Sequence, residues 1–140
     1  MSSIFASMDI STSALKAQKM RMEVIANNIA NINTTHDEYG KNNPYRRKTI
    51  TFSEILGKSG GINSPGGVSV LEIADDMSAF NTKYEPGHPD ADDNGYIKIP
   101  NVDAPTEMVD MITASRNYEA NIAAIEIAKN MINNSFEILA

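Results

Sequence analysis

Residues 4–32 read IFASMDISTSALKAQKMRMEVIANNIANI, and the spacing of their apolar side chains decides how the rest of the chain is organised. Ile4, Met8, Ser11, Leu15, Gln18, Met22, Ile25, Ile29 and Ile32 recur at alternating intervals of four and three, the seam of a single heptad helix. Neither Gly nor Pro interrupts the run, so at 1.5 Å per residue it predicts a rod roughly 43 Å long, with Ser2 or Ser3 capping its start. A seam this long outlasts the ordinary globular helix of about 8–20 residues, which points to another helix as its partner. The plainer alternative is the core-facing stripe of one globular helix. Ser11 and Gln18 at inward positions, with Met8 and Met22, make the seam soft: polar seam residues fix register at a cost in stability, and Met adapts to several surfaces.

The matching stripe lies at the other end of the chain. From Asp103 or Ala104 the pattern turns helical, with Pro105 tolerated in the first turn and Glu107 and Asp110 favoured by the helix dipole. Met108, Met111, Ser115, Tyr118, Ile122, Ile125, Lys129, Ile132, Phe136 and Leu139 then alternate by three and four. Two seams of similar length at opposite ends predict an antiparallel, coiled-coil-like helical pair. Between them Asn33 to Pro44 has loop chemistry, and loops of about a dozen residues are commonly functional, mobile or ordered by a partner. Tyr45–Phe52, Val68–Ile73 and Tyr96–Ile99 read as strands, separated by turns rich in Gly and Pro, including Gly57, Gly60, Gly61 and Pro65. The expected fold is therefore mainly α with a small β module: 1–34 an N-terminal helix, 35–102 the loop and β-rich module, 103–140 a C-terminal helix.

Composition narrows the function. With 140 residues, 41% apolar content and no Trp, the chain is poorly equipped to build a large dry pocket. It has no Cys, which excludes disulfides and thiolate metal sites. No run approaches the length of a membrane span, and the N-terminus lacks the form of a cleaved signal peptide. The net charge of −6 is uneven: residues 1–32 carry three basic and two acidic groups, residues 104–140 two basic and five acidic. Opposite signs at the two ends suit them to lie against each other or against neighbouring chains. Arg46-Arg47-Lys48 is the one basic cluster, too short and too diluted for nucleic acid.

Two patterns have the outline of chemistry. Asp90, Asp92 and Asn94 fall at the first, third and fifth places of a calcium loop, with Gly95 and Ile97 in support. Asn101 nevertheless stands where the bidentate Glu belongs, Lys98 sits at a ligand place, and Pro86 and Pro89 exclude an incoming helix. A solvated acidic turn is the alternative to a calcium module at 90–101. His36-Asp37-Glu38 offers acid–base groups, but adjacent side chains do not converge on one atom without further structure. No catalytic residue, metal site or cofactor is expected, and a small coiled-coil adaptor remains open beside the other readings.

Three motifs carry a family resemblance. Ala26-Asn27-Asn28-Ile29-Ala30-Asn31 resembles the N-terminal signature of the bacterial flagellar axial proteins. Glu107-Met108-Val109-Asp110-Met111-Ile112, Ala114-Ser115-Arg116 and Tyr118-Glu119-Ala120-Asn121 are similar to their C-terminal signature. Tyr84-Glu85-Pro86-Gly87-His88-Pro89-Asp90-Ala91, with Gly95-Tyr96 and Pro100-Asn101-Val102, resembles the basal-body rod proteins of the proximal rod. His36 to Asn43 departs from the family's shorter turn at that place. The resemblance implies a structural subunit of the rod that carries torque to the hook. It also implies export without cleavage through the flagellar type III apparatus, and terminal helices that order on assembly. Implied partners are other rod proteins, copies of the same chain, and the membrane-embedded and periplasmic rings, with no nucleic acid and no small-molecule substrate. On this basis the expected assembly interface comprises Ile4, Met8, Leu15, Met22, Ile25, Asn28, Ile29, Asn31 and Ile32 with Met108, Met111, Ile112, Arg116, Tyr118, Glu119, Asn121, Ile122, Ile125, Ile132 and Phe136.

Overall fold

The computed structural model describes residues 2–37, 39–55 and 66–139. Its elements run α1 (Ser2–Ala30), β1 (Lys48–Glu54), β2 (Val68–Asp75), β3 (Asn81–Tyr84), β4 (Tyr96–Ile99) and α2 (Ala104–Leu139). Two long helices thus bracket a small antiparallel β module of two two-stranded sheets. Glu38, the turn expected from Gly57 to Pro65, and the side chains of Ser2, Ser3 and Leu139 lie outside the described residues.

Helix α1 stops at Ala30, two residues before the expected end, because Asn side chains compete for the last carbonyls. Asn31 turns its amide back to the Asn27 carbonyl at 2.9 Å, and the Thr34 hydroxyl bonds Asn31 at 3.2 Å, local bonds that offer the backbone an alternative to helix. At α2 the expected start holds. Asp103 caps it, accepting from the Thr106 hydroxyl and from the Thr106 N–H at 3.1 Å.

The inward lines of both helices differ from the expected seams by one residue at alternate positions. On α2 the covered line is Glu107, Met111, Ala114, Tyr118, Asn121, Ile125, Ala128 and Ile132, all buried or half-buried. It keeps the heptad spacing and four of the expected residues. Met108, Ile122 and Lys129, expected inward, are exposed, and Ser115 is half-buried. On α1, Ala17, Val24 and Asn28 are buried where Gln18, Ile25 and Ile29 were expected, and only Ile25 of these three is also buried. Where the line departs from the expected seam, small or hydrogen-bonded side chains hold the inward place, as Ala17 and Asn28 do on α1 and Glu107, Ala114 and Ala128 on α2.

Two compact units are present. The first comprises Met1–Met22, Ile50–Glu72 and Ile112–Ala140. Here Ser13 fastens the start of β2 to α1: its hydroxyl donates to the Ile10 carbonyl at 2.7 Å and accepts the Val68 N–H at 3.1 Å. Gly67 permits that approach, since a Cβ there would lie 2.9 Å from the Ser13 hydroxyl. The Ile55 N–H donates to the Gly67 carbonyl at 2.8 Å, and the Ser53 and Ser69 hydroxyls meet at 2.8 Å. Strand β1 begins at Lys48 rather than Tyr45 and β2 runs to Asp75, beyond Ile73.

The second unit comprises Glu23–Thr49 and Ile73–Met111. Strand β4 is where it was expected, but its partner β3 was not foreseen, because Asn81-Thr82-Lys83-Tyr84 is exposed throughout and carries no alternation. The two pair antiparallel from Asn81 opposite Ile99 to Tyr84 opposite Tyr96, with the Tyr84 and Tyr96 rings edge to face at 5.2 Å. Gly95, at φ +80°, closes the turn into β4, and a Cβ would meet the Tyr84 ring at 3.0 Å and Pro86 at 3.1 Å. The described residues of 33–44, expected as a long loop, fold on themselves. His36 bridges Asn42, Asp37 accepts the N–H groups of Tyr39 and Lys41, and the Tyr45 N–H closes on the Thr34 carbonyl.

Candidate functional site

All three quoted motifs send a side chain to one buried polar junction inside the second unit. Its centre is Asn28, 1% exposed near the end of α1. The carboxamide treats the Lys48 peptide as a neighbouring strand would: Oδ1 accepts the Lys48 N–H at 2.8 Å and Nδ2 donates to the Lys48 carbonyl at 2.9 Å. The second amide hydrogen goes to Glu107 Oε2 at 3.1 Å, and Oδ1 also accepts the Tyr45 hydroxyl at 3.0 Å. Both donors and both acceptor positions are therefore used. Asp here would lose both donors and Gln would be too long to match the peptide.

Glu107 comes from the first turn of α2 and is fully buried. A buried carboxylate is tolerated only when it is paired and hydrogen-bonded, and Arg47 Nε meets Oε1 at 2.7 Å. This pairing draws Glu107 inward and turns the start of α2, so that Met108 faces out. Asn101 completes the junction: Oδ1 accepts the Arg47 N–H at 2.9 Å, while Nδ2 donates to the Asp76 carbonyl at 3.1 Å and the Ser78 hydroxyl at 2.8 Å. Asp76 returns its N–H to the Arg47 carbonyl at 2.7 Å and stands 3.7 Å from the guanidinium. Burial, then the nearby Asp75 and Glu107 carboxylates, push the Tyr45 phenol above its ordinary pKa, keeping it protonated to donate to Asn28. The Ser78 N–H and hydroxyl, then Arg47, hold Asp76 below the ordinary carboxylate range.

The calcium outline is not realised. Asp90 turns to His36 Nε2 at 3.0 Å, to the Thr35 hydroxyl at 3.3 Å and toward His88. Asp92 instead accepts the N–H groups of Asn94 and Tyr96, both at 2.9 Å. The two carboxylates serve different turns, so no single oxygen cage forms, and no metal-holding cluster of His, Cys, Asp or Glu exists among the described residues. Asn101, the misfit of that outline, is the amide of the junction. The acid–base outline at His36 and Asp37 likewise separates, with His36 on Asp90 and Asp37 on its own turn.

Of the expected interface residues, Ile25 and Asn28 are buried. Ile4, Met8, Leu15, Met22, Ile29, Asn31, Ile32, Met111, Tyr118, Asn121, Ile125 and Ile132 are half-buried. Met108, Ile112, Arg116, Glu119, Ile122 and Phe136 are exposed. Sequence reasoning missed Tyr45 and Glu107 as partners of Asn28, and Arg47 and Asn101 as the residues that extend the junction. The available signal was one acidic residue, Glu107, in step with Ala114, Asn121 and Ala128 on the inward line.

A junction whose polar groups are spent on one another, tying a helix end, a strand start and a helix start, is the construction of a structural subunit. Comparison with known proteins agrees. Residues 8–35 match the family model described as "Flagella basal body rod protein", and residues 93–137 match "Flagellar basal body rod FlgEFG protein C-terminal". The chain is 43% identical to the flagellar basal-body rod protein FlgC of Bacillus subtilis, covering 96% of this chain and 97% of the relative. It is 39% identical to the FlgC of Borreliella burgdorferi, over 97% of each chain, and 41% identical to that of Salmonella typhimurium, over 89% of each. The chain belongs to the FlgC-like family of flagellar basal-body rod proteins, and is a structural subunit of that rod rather than an enzyme.

Proposed function

We propose that the chain forms part of the proximal rod, with α1 and α2 pairing antiparallel and packing on neighbouring rod subunits so that torque passes along the helices toward the hook. The observation that carries this is the Asn28–Glu107 bond at 3.1 Å, within a junction fed by residues from both helical segments. Torque transmission requires that the helices not slip lengthwise, and a fully satisfied buried polar cluster fixes register better than apolar contact does. The division into 1–34, 35–102 and 103–140 belongs to the same proposal: helices for the axis, the β module for outward contacts. Partners are other rod proteins and further copies of the chain, then the surrounding rings, with passage uncleaved through the type III export apparatus. Helix α1 has 29 residues and α2 has 36, yet their inward lines are built of small, polar and half-exposed side chains. The isolated protein is therefore expected to show less helix by circular dichroism than these lengths give; a fully helical monomer would contradict it. Deleting residues 4–22 or 112–136 in a motile bacterium is expected to abolish motility and leave basal bodies without a complete rod. Normal swimming with an intact rod would overturn the proposal.

A further inference from the structure

Within the first unit, α2 carries a second apolar stripe that its own chain leaves exposed. Ile112, Ala120, Ala123, Ile127 and Met131, with Arg116 among them, are all exposed and spaced four, four, three, four and four apart. At 100° per residue they fall nearly opposite the covered line Ala114–Tyr118–Ile125–Ala128. The four, four, three order of the intervals is that of an 11-residue repeat, which suits a straight or slightly right-handed contact rather than a heptad coil.

The same unit holds a groove of about 420 Å³ that carries both an acidic residue, Asp9, and a basic one, Lys16. One wall is three turns of α1, from Asp9 through Lys16 and Ala17 to Met20; the other is Ile55, Val68 and Val70. Ser13, half-buried on its α1 wall, is small as Ala120 and Ala123 are, and small residues on both sides allow close helix approach. Residues 1–22 carry three basic groups and one acidic, whereas residues 112–140 carry two basic and three acidic. Glu119 and Glu126 flank the stripe and exposed Lys16 lies on the groove rim. Two stripes laid on each other would instead bring these glutamates together.

Building on the rod assignment above, we propose that the outward stripe of α2, from Ile112 to Met131, docks into the groove between α1 and β2 of a second copy of this chain. Stripe and groove are different surfaces, so the contact is heterologous and propagates from copy to copy as a ring or a helical array. The absence of Cys makes a clean test possible in cells. Two full-length versions are co-expressed, one Met20→Cys and the other Ile127→Cys, and basal bodies are purified after mild oxidation. The expected result is a disulfide-linked dimer containing one of each, lost when either variant is expressed alone. A rod that contains both variants without that dimer, with Ile127–Ile127 dimers, or with either cysteine captured by a different rod protein, overturns the proposal. If Met20→Cys is not incorporated, Thr12→Cys takes its place, with the same outcomes. Immunoblotting the basal bodies for the wild-type chain separates the two ideas: its absence from the rod defeats the rod assignment itself, whereas presence without the cross-link defeats only the docking.

Discussion

Replacing Glu107 by Ala removes the acceptor of two bonds in the junction, the 2.7 Å contact from Arg47 Nε and the 3.1 Å contact from Asn28 Nδ2. Breaking a wholly buried ion pair costs roughly 3–5 kcal/mol, most of it from stranding the surviving charge. Arg47 is not wholly stranded, because its side chain is 26% exposed and Asp76 lies 3.7 Å away, so the lower end, about 3 kcal/mol, applies. Glu107→Gln keeps an acceptor for one partner and removes the charge, and about half that loss is expected. For a chain of this size a shift of about 10 °C in Tm corresponds to the larger figure. Four of the five tyrosines, Tyr39, Tyr45, Tyr84 and Tyr96, belong to the second unit, so near-ultraviolet circular dichroism follows the relevant transition. A double-mutant cycle with Arg47→Ala isolates the coupling. A loss below about 1 kcal/mol for Glu107→Ala, or a coupling indistinguishable from zero, would refute the reasoning, since neither is compatible with a buried charge held by this pair.

Further outcomes follow from the same geometry. Asn28→Asp sets a carboxylate against Glu107 and the Lys48 carbonyl, and is expected to lower Tm at least as far as Asn28→Ala; a milder effect would mean that the amide hydrogens are dispensable. Gly95→Ala must hold φ +80° with a Cβ 3.0 Å from Tyr84, at a cost of about 1–3 kcal/mol by urea titration, with loss of the tyrosine signal. Gln18 Oε1 is buried without a partner, so Gln18→Leu is expected to stabilise the isolated protein by about 1 kcal/mol and raise its helical circular dichroism. The Thr106 hydroxyl and N–H hold the Asp103 carboxyl below its ordinary range. Its contribution is therefore present above the ordinary carboxylate pKa and lost as pH falls through the lowered folded value. Asp103→Asn, which caps without titrating, should remove that part of the acid transition. For Tyr45 the sign reverses: its stabilisation is full below the ordinary phenol pKa and lost as pH rises through the raised folded value, so Tyr45→Phe should weaken the alkaline transition read by tyrosinate absorbance.

The helices and β4 were legible because periodicity needs only one residue's relation to its neighbours. Helix register was not, because each seam offers two adjacent candidates. Glu107 or Met108 and Asn121 or Ile122 differ in hydropathy in favour of the second, yet the first is inward in both pairs. What decides is Arg47, sixty residues away in sequence, and the small Ala114 and Ala128 that fit where bulk does not. Strand β3 escaped detection because an exposed strand with no apolar face looks like loop. Asn28 was legible as part of a motif, but its task was not, since the peptide it pairs with belongs to Lys48, twenty residues on. Asn101 shows the opposite error: judged against a metal loop it is a defect, and judged against Arg47 and Asp76 it is a bridge.

In the proposed arrangement the two helices carry this chain's contacts in the rod. Electron cryomicroscopy of intact basal bodies at side-chain resolution tests it most directly. The expected map shows α1 and α2 side by side, held in register by Asn28 and Glu107, with their outward faces buried against neighbouring subunits. Density in which both helices face solvent, and only the 73–102 segment touches other subunits, would contradict it.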